Sequence, residues 1–230
     1  MVLFNRTIFK TNFLIILISI MLFMISFHIP VEYSFENHAM ENTEVVILFI
    51  GLVSVLYRRK HTYISQSKPF WMGCALLYAV MIMRELSWGR VFFPVGVSSS
   101  GESVFIKMNE LWFAPIIYAV VAMMVCGALY CMAKSFKECR RRGLVWNVPI
   151  WHFAVFALMM IVSQCVFEKG LIFVSAYGQL LEESAEIVAY LSLVCFTGHF
   201  YFVRRQNEWS RNLSMRIVHL WKGSYQQWML

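Results

Sequence analysis

Three glutamates, Glu44, Glu85 and Glu186, sit within or at the ends of strongly apolar stretches of this sequence, and any chemistry is expected to gather around them. With a rise of 1.5 Å per helical residue, Glu44 lies about 21 Å along a helix from Arg58. Glu85 lies about 26 Å from Lys68 on the same arithmetic, and Glu186 about 27 Å from Arg204. Against a hydrocarbon layer roughly 30 Å thick, Glu44 falls inside it and the other two fall at its edge. An ionised carboxylate at the centre of a membrane helix costs about 2.5–3.5 kcal/mol, so such groups face the bundle interior and find partners there.

Helical phase enlarges the group. At about 100° per residue, Glu182, Glu183 and Glu186 share one arc, and Glu41 and Glu44 lie about 60° apart. His38 joins that second face if its helix begins early, and Arg84 stands next to Glu85. The expected binding cluster is therefore Glu41, Glu44, Arg84, Glu85, Glu182, Glu183 and Glu186. Carboxylates with an imidazole suit a hard or borderline divalent cation, with His38, Glu44 and Glu186 as the expected ligands. An open coordination position would let that ion activate water against a lipid or peptide bond. Packed carboxylates could instead carry protons or hold a cationic group. The bland reading is that glutamates are helix-end groups paired with Arg84, Arg90, Lys107 or Lys169. It is preferred for Glu32, Glu36, Glu102, Glu110 and Glu168.

Other candidates are weaker. His152 and His199 fall at similar depth in two segments and could ligate a haem from both sides. A single such pair is better read as packed core, and no haem is expected. Ser163, Gln164, Ser192 and Thr197 are expected to hydrogen-bond across helices. The six cysteines show neither metal-type spacing nor a CxxC pair, which marks them as packing residues. A Gly-rich phosphate loop, a GxSxG elbow and an HExxH motif are all missing from the sequence.

The elements that must position these residues follow from composition. Of 230 residues, 60% are hydrophobic and 14% charged, and the mean hydropathy is +0.62. Soluble domains run about 45–50% apolar and 25% charged, so a water-soluble single domain and a disordered chain are both excluded. Six segments approach the roughly 20 apolar residues needed to span a bilayer: 12–30, 40–57, 69–88, 111–134, 148–167 and 181–203. The fold class expected is an all-α integral membrane protein, a six-transmembrane-helix bundle over residues 1–205.

Charge orients the bundle. Sixteen of the 20 basic residues fall on one side of those segments, which puts both termini in the cytoplasm of a plasma membrane or bacterial inner membrane. Eleven of the 13 acids, all of them glutamate, then face outward. Residues 95–103 read as a flexible outer loop and 88–94 as an aromatic stretch at headgroup level. Within residues 206–230, Trp209, Leu213, Ile217 and Trp221 recur every four positions between basic residues. That spacing predicts a short amphipathic helix anchored on the inner surface.

Three functional readings follow. The leading one is an outward-facing glutamate-rich pocket that binds a cation, a lipid headgroup or a partner segment, in a subunit of a larger membrane assembly. The second is a metal-dependent membrane hydrolase or transferase acting at the outer leaflet. The third is a small oligomeric transporter or channel, disfavoured by the apolar middles of the first, second and fourth segments. The expected partners are the bilayer and other membrane subunits or further copies of the chain. The net charge of +7 is explained by topology, and no nucleic acid is expected.

Overall fold

The computed structural model describes residues 6–30, 33, 39–97, 103–167 and 177–204. Six helices carry the fold: α1 (Arg6–Ser26), α2 (Ala39–His61), α3 (Lys68–Glu85), α4 (Ala114–Arg141), α5 (Ile150–Val162) and α6 (Tyr177–His199). Each coincides with one of the apolar segments of the sequence, with shifted ends. α4 runs on to Arg141, so Lys134, Lys137 and Arg140 belong to a helix and not to the following loop. α6 stops at His199, short of the expected Val203, and Arg204 lies in a strand; the helical rise from Glu186 to Arg204 is therefore overcounted.

The strands are a small addition to an otherwise helical protein. β1 (Pro94–Val97) pairs antiparallel with β2 (Ser103–Phe105), so the described ends of the stretch expected as a flexible loop at 95–103 are paired strands. β3 (Leu144–Asn147) pairs with β4 (Tyr201–Arg204), tying the start of α5 to the end of α6. The expected surface helix over 206–230, with Trp209, Leu213, Ile217 and Trp221, lies outside the described residues.

α2, α3 and α6 form the centre. α3 packs on α2 and α4, while α6 packs on α2, α5 and α1. Small residues allow close approach: a Cβ on Gly73 would lie 2.8 Å from the Ala128 carbonyl oxygen of α4. Hydrogen bonds fix which helix ends meet. Ser26 and Ser184 hydroxyls are 2.6 Å apart at one end of the bundle. At the other, Ser135 donates to the Gln66 carbonyl at 2.6 Å and Thr11 meets His152 Nε2 at 3.2 Å. The second end also gathers Arg58, Arg59, Lys60, Arg140 and Arg141 in the last turns of their helices, where cations complement the helix dipole.

That basic end is locked by aromatic rings. Phe70 stacks on Phe200 with centroids 4.4 Å apart, and Phe202 and Phe136 meet Phe70 edge-on. Arg58 lies over the Trp71 ring and donates to the Gly198 carbonyl. Halfway along, Tyr78 and Thr197 hydroxyls bond at 3.0 Å between α3 and α6. Tyr78→Phe is expected to destabilise the bundle by only about 0.6 kcal/mol, the typical worth of an interhelical hydrogen bond in a membrane. Unfolding in mixed micelles reads this; a loss several times larger would mean the hydroxyl holds more than Thr197.

The exterior is apolar, and polar side chains are buried among the apolar core. Phe13, Ile20, Phe49, Val53, Ile116, Met123, Phe153 and Ile161 are exposed, whereas Glu44, Ser135, His152, Ser163, Glu186 and Ser192 are buried. Water would drive the reverse distribution; a hydrocarbon surround permits this one. Three helices, Ala39–His61, Ala114–Arg141 and the continuous Ile150–Phe167, are long and apolar enough to cross a membrane. α3 and α6 carry three charged residues each, among them the Arg84, Glu85 and Glu186 that meet at the site.

Candidate functional site

At the end of the bundle opposite the basic residues, Glu44 of α2, Glu85 of α3 and Glu186 of α6 converge. One carboxylate oxygen from each lies within 4.8 Å of the other two, and all three residues are buried. Each backbone delivers its glutamate for a local reason. On α2, Glu44, Leu48, Gly51 and Val55 recur at helical spacing and form the stripe facing α3 and α6. α3 ends at Glu85 because the chain turns through left-handed backbone at Ser87, Trp88 and Gly89, with φ of 47°, 52° and 80°. Only the glycine adopts this without strain. On α6, Glu186 and Tyr190 are one turn apart and lie on the same buried face.

Donors surround two of the three carboxylates. Glu186 accepts from Arg84 at 3.0 Å and 3.3 Å, from Ser163 at 2.8 Å and from Gln164 at 2.8 Å. Ser163 and Gln164 are adjacent in sequence, and on a regular α-helix they would point about 100° apart. They begin a single π turn, Ser163–Phe167, whose wider bore brings both side chains to one oxygen. Glu85 accepts from the Tyr190 hydroxyl and lies 3.7 Å from Arg84. Arg84 also donates to the Tyr190 oxygen at 3.2 Å, which closes a network of Arg84, Glu85, Glu186 and Tyr190.

Glu44 is different. It is 0% exposed, and neither of its oxygens meets a hydrogen-bond donor; its neighbours are the carboxyls of Glu85 and Glu183. Glu183, one turn before Glu186 on α6, also has a buried oxygen without a partner. Buried polar groups are almost always satisfied, so an orphaned carboxyl beside two others calls for an explanation.

Of the residues expected from the sequence, Glu44, Arg84, Glu85 and Glu186 come together, and Glu183 stands beside them on α6. Glu41 and Glu182 are half-buried; Glu41 lies close enough to Glu183 for their charges to interact, and both residues have further contacts. His38, expected as a ligand, lies outside the described residues. Sequence reasoning overlooked Tyr190, although its place four residues after Glu186 was a usable signal. It noticed Ser163 and Gln164 but not their target, because regular helical phase separates them. At the basic end, the His152 and His199 rings pack with centroids 5.1 Å apart. Nδ1 of His199 bonds the Cys195 carbonyl at 2.9 Å.

No protein-family model, curated protein or solved structure matches the chain. Fold and site together define a class: a helical bundle with an apolar exterior, three helices able to cross a membrane, and a buried carboxylate–arginine cluster at one end.

Proposed function

We propose that this chain is a six-span membrane protein that binds a positively charged ligand in an acidic pocket at its outward-facing end, as a subunit of a larger membrane assembly. The observation that carries the reading is Glu44, sealed from solvent without a donor group beside the carboxyls of Glu85 and Glu186. Such a group is stable only when a counter-charge or a proton reaches it. The charge bias supports cytoplasmic termini in a plasma or bacterial inner membrane, and with them an outward position for the pocket. Residues 206–230 serve as the basic surface anchor or docking helix. A continuous transport route finds less support, since Leu48, Val55 and the Tyr78–Thr197 bond fill the seam below the pocket.

Native mass spectrometry on protein released gently from its own membrane tests the reading. Wild type is expected to carry an added mass, of an ion, a lipid or a protein segment, that Glu44→Gln/Glu186→Gln lacks while still inserting in the membrane. Bare wild-type chains, or the same adducts on both proteins, would overturn it.

A further inference from the structure

We infer that the ligand of this pocket is a single hard divalent cation of the Mg²⁺, Mn²⁺ or Ca²⁺ kind, held by carboxylate oxygens of Glu44, Glu85 and Glu186. The inference rests on the pocket reading above and deepens it. Three observations meet here. One oxygen from each glutamate lies within 4.8 Å of the others, close enough for one ion to touch all three. Glu44, fully buried, offers two oxygens that meet no donor, only the carboxyls of Glu85 and Glu183. Finally, the charge has the right sign: ionised Glu44, Glu85 and Glu186 outnumber Arg84, paired with Glu186 at 3.0 Å, and Glu183 beside them adds to the excess that a cation offsets.

Donor type selects the ion. Among the described residues the cluster offers carboxylates only, without an imidazole or thiolate. All-oxygen sites suit Mg²⁺, Mn²⁺ and Ca²⁺, whereas nitrogen and sulfur favour Zn²⁺ and Cu⁺. The surrounding donors supply the outer layer that a metal site needs. Tyr190 holds Glu85 from behind, while Ser163, Gln164 and Arg84 hold Glu186, so both carboxylates are aimed before the ion arrives. Glu44 has no such support; the ion itself is its partner.

Mn²⁺ is the probe, because its EPR signal counts free ion and it stands in for both Mg²⁺ and Ca²⁺. Purified full chain in detergent, stripped with chelator, is expected to bind about one Mn²⁺ and to gain thermal stability as it does. Glu44→Gln keeps the shape and removes the charge. It is expected to weaken Mn²⁺ binding at least tenfold and to lose the metal-dependent stabilisation, yet to unfold without metal no earlier than wild type. Glu138→Gln, in the exposed ion pair with Arg142, is expected to bind Mn²⁺ as wild type does. Competition by Mg²⁺ and Ca²⁺ identifies which hard ion fits best. Equal Mn²⁺ binding by wild type and Glu44→Gln, or none by wild type, overturns the inference, as does a site that accepts only Zn²⁺. If Mn²⁺ does not bind but a lipid-sized or peptide-sized mass is lost in Glu44→Gln/Glu186→Gln, the metal falls and the pocket stands. If neither is seen, both fall.

Discussion

Glu186→Ala is expected to be the most damaging single change in the acidic network. Its carboxylate accepts from Arg84, Ser163 and Gln164, and Ser163 is completely buried. Truncation leaves a guanidinium, a hydroxyl and an amide without their acceptor. Removing one partner of a buried ion pair typically costs about 3–5 kcal/mol. The Arg84 side chain is 42% exposed, so solvent and headgroups screen part of the loss, and about 2–3 kcal/mol is the expected figure. Glu186→Gln preserves an acceptor for Ser163 and Gln164 and should lose less than half as much. Reversible unfolding in mixed micelles measures both. A Glu186→Ala protein as stable as wild type would show that the network contributes nothing to folding.

Substitution of Gly51 should be comparably harmful, for a steric reason. A Cβ there would lie 2.3 Å from Cε1 of Tyr78 and 2.6 Å from its Cζ. Tyr78 cannot swing aside cheaply, since its ring is 2% exposed and its hydroxyl is bonded to Thr197. Overpacking of this kind costs about 1–3 kcal/mol, and losing the hydrogen bond adds about 0.6 kcal/mol. Alanine recovers up to about 1 kcal/mol of helix propensity, so Gly51→Ala should lose about 2 kcal/mol and Gly51→Leu more. The contact can be tested by a double-mutant cycle. Tyr78→Leu should cost clearly less in the Gly51→Ala background than in wild type, because the clash is then already relieved. Additive losses would place the damage somewhere other than the α2–α3 contact.

The helices were largely legible in the chain because apolar runs of membrane length are a strong, local signal. Their ends were less so. The termination of α6 at His199 depends on the pairing of Tyr201–Arg204 with Leu144–Asn147, a long-range contact without a local marker. The pairing of β1 with β2 is local, but residues 94–97 and 103–105 are too short to carry an alternating apolar pattern that would mark them as strands. Within the site, depth singled out Glu44, Glu85 and Glu186, which the fold brings together, since an acid inside an apolar run is costly wherever the chain folds.

Composition and pattern alone thus determined that the chain is a helical protein suited to hydrocarbon, with its bases and acids segregated and a few glutamates where they are expensive to keep. They could not determine which glutamates meet. Phase places Glu41 with Glu44 and Glu182 with Glu186, but which stripe faces which depends on how α2, α3 and α6 pack around Gly51 and Tyr78. Tertiary structure alone revealed that Glu85 and Glu186 are supplied with donors while Glu44 is left without one. The physical reason is that burial and hydrogen-bond satisfaction belong to neighbours distant in sequence. Helical periodicity fixes only the direction in which each side chain starts.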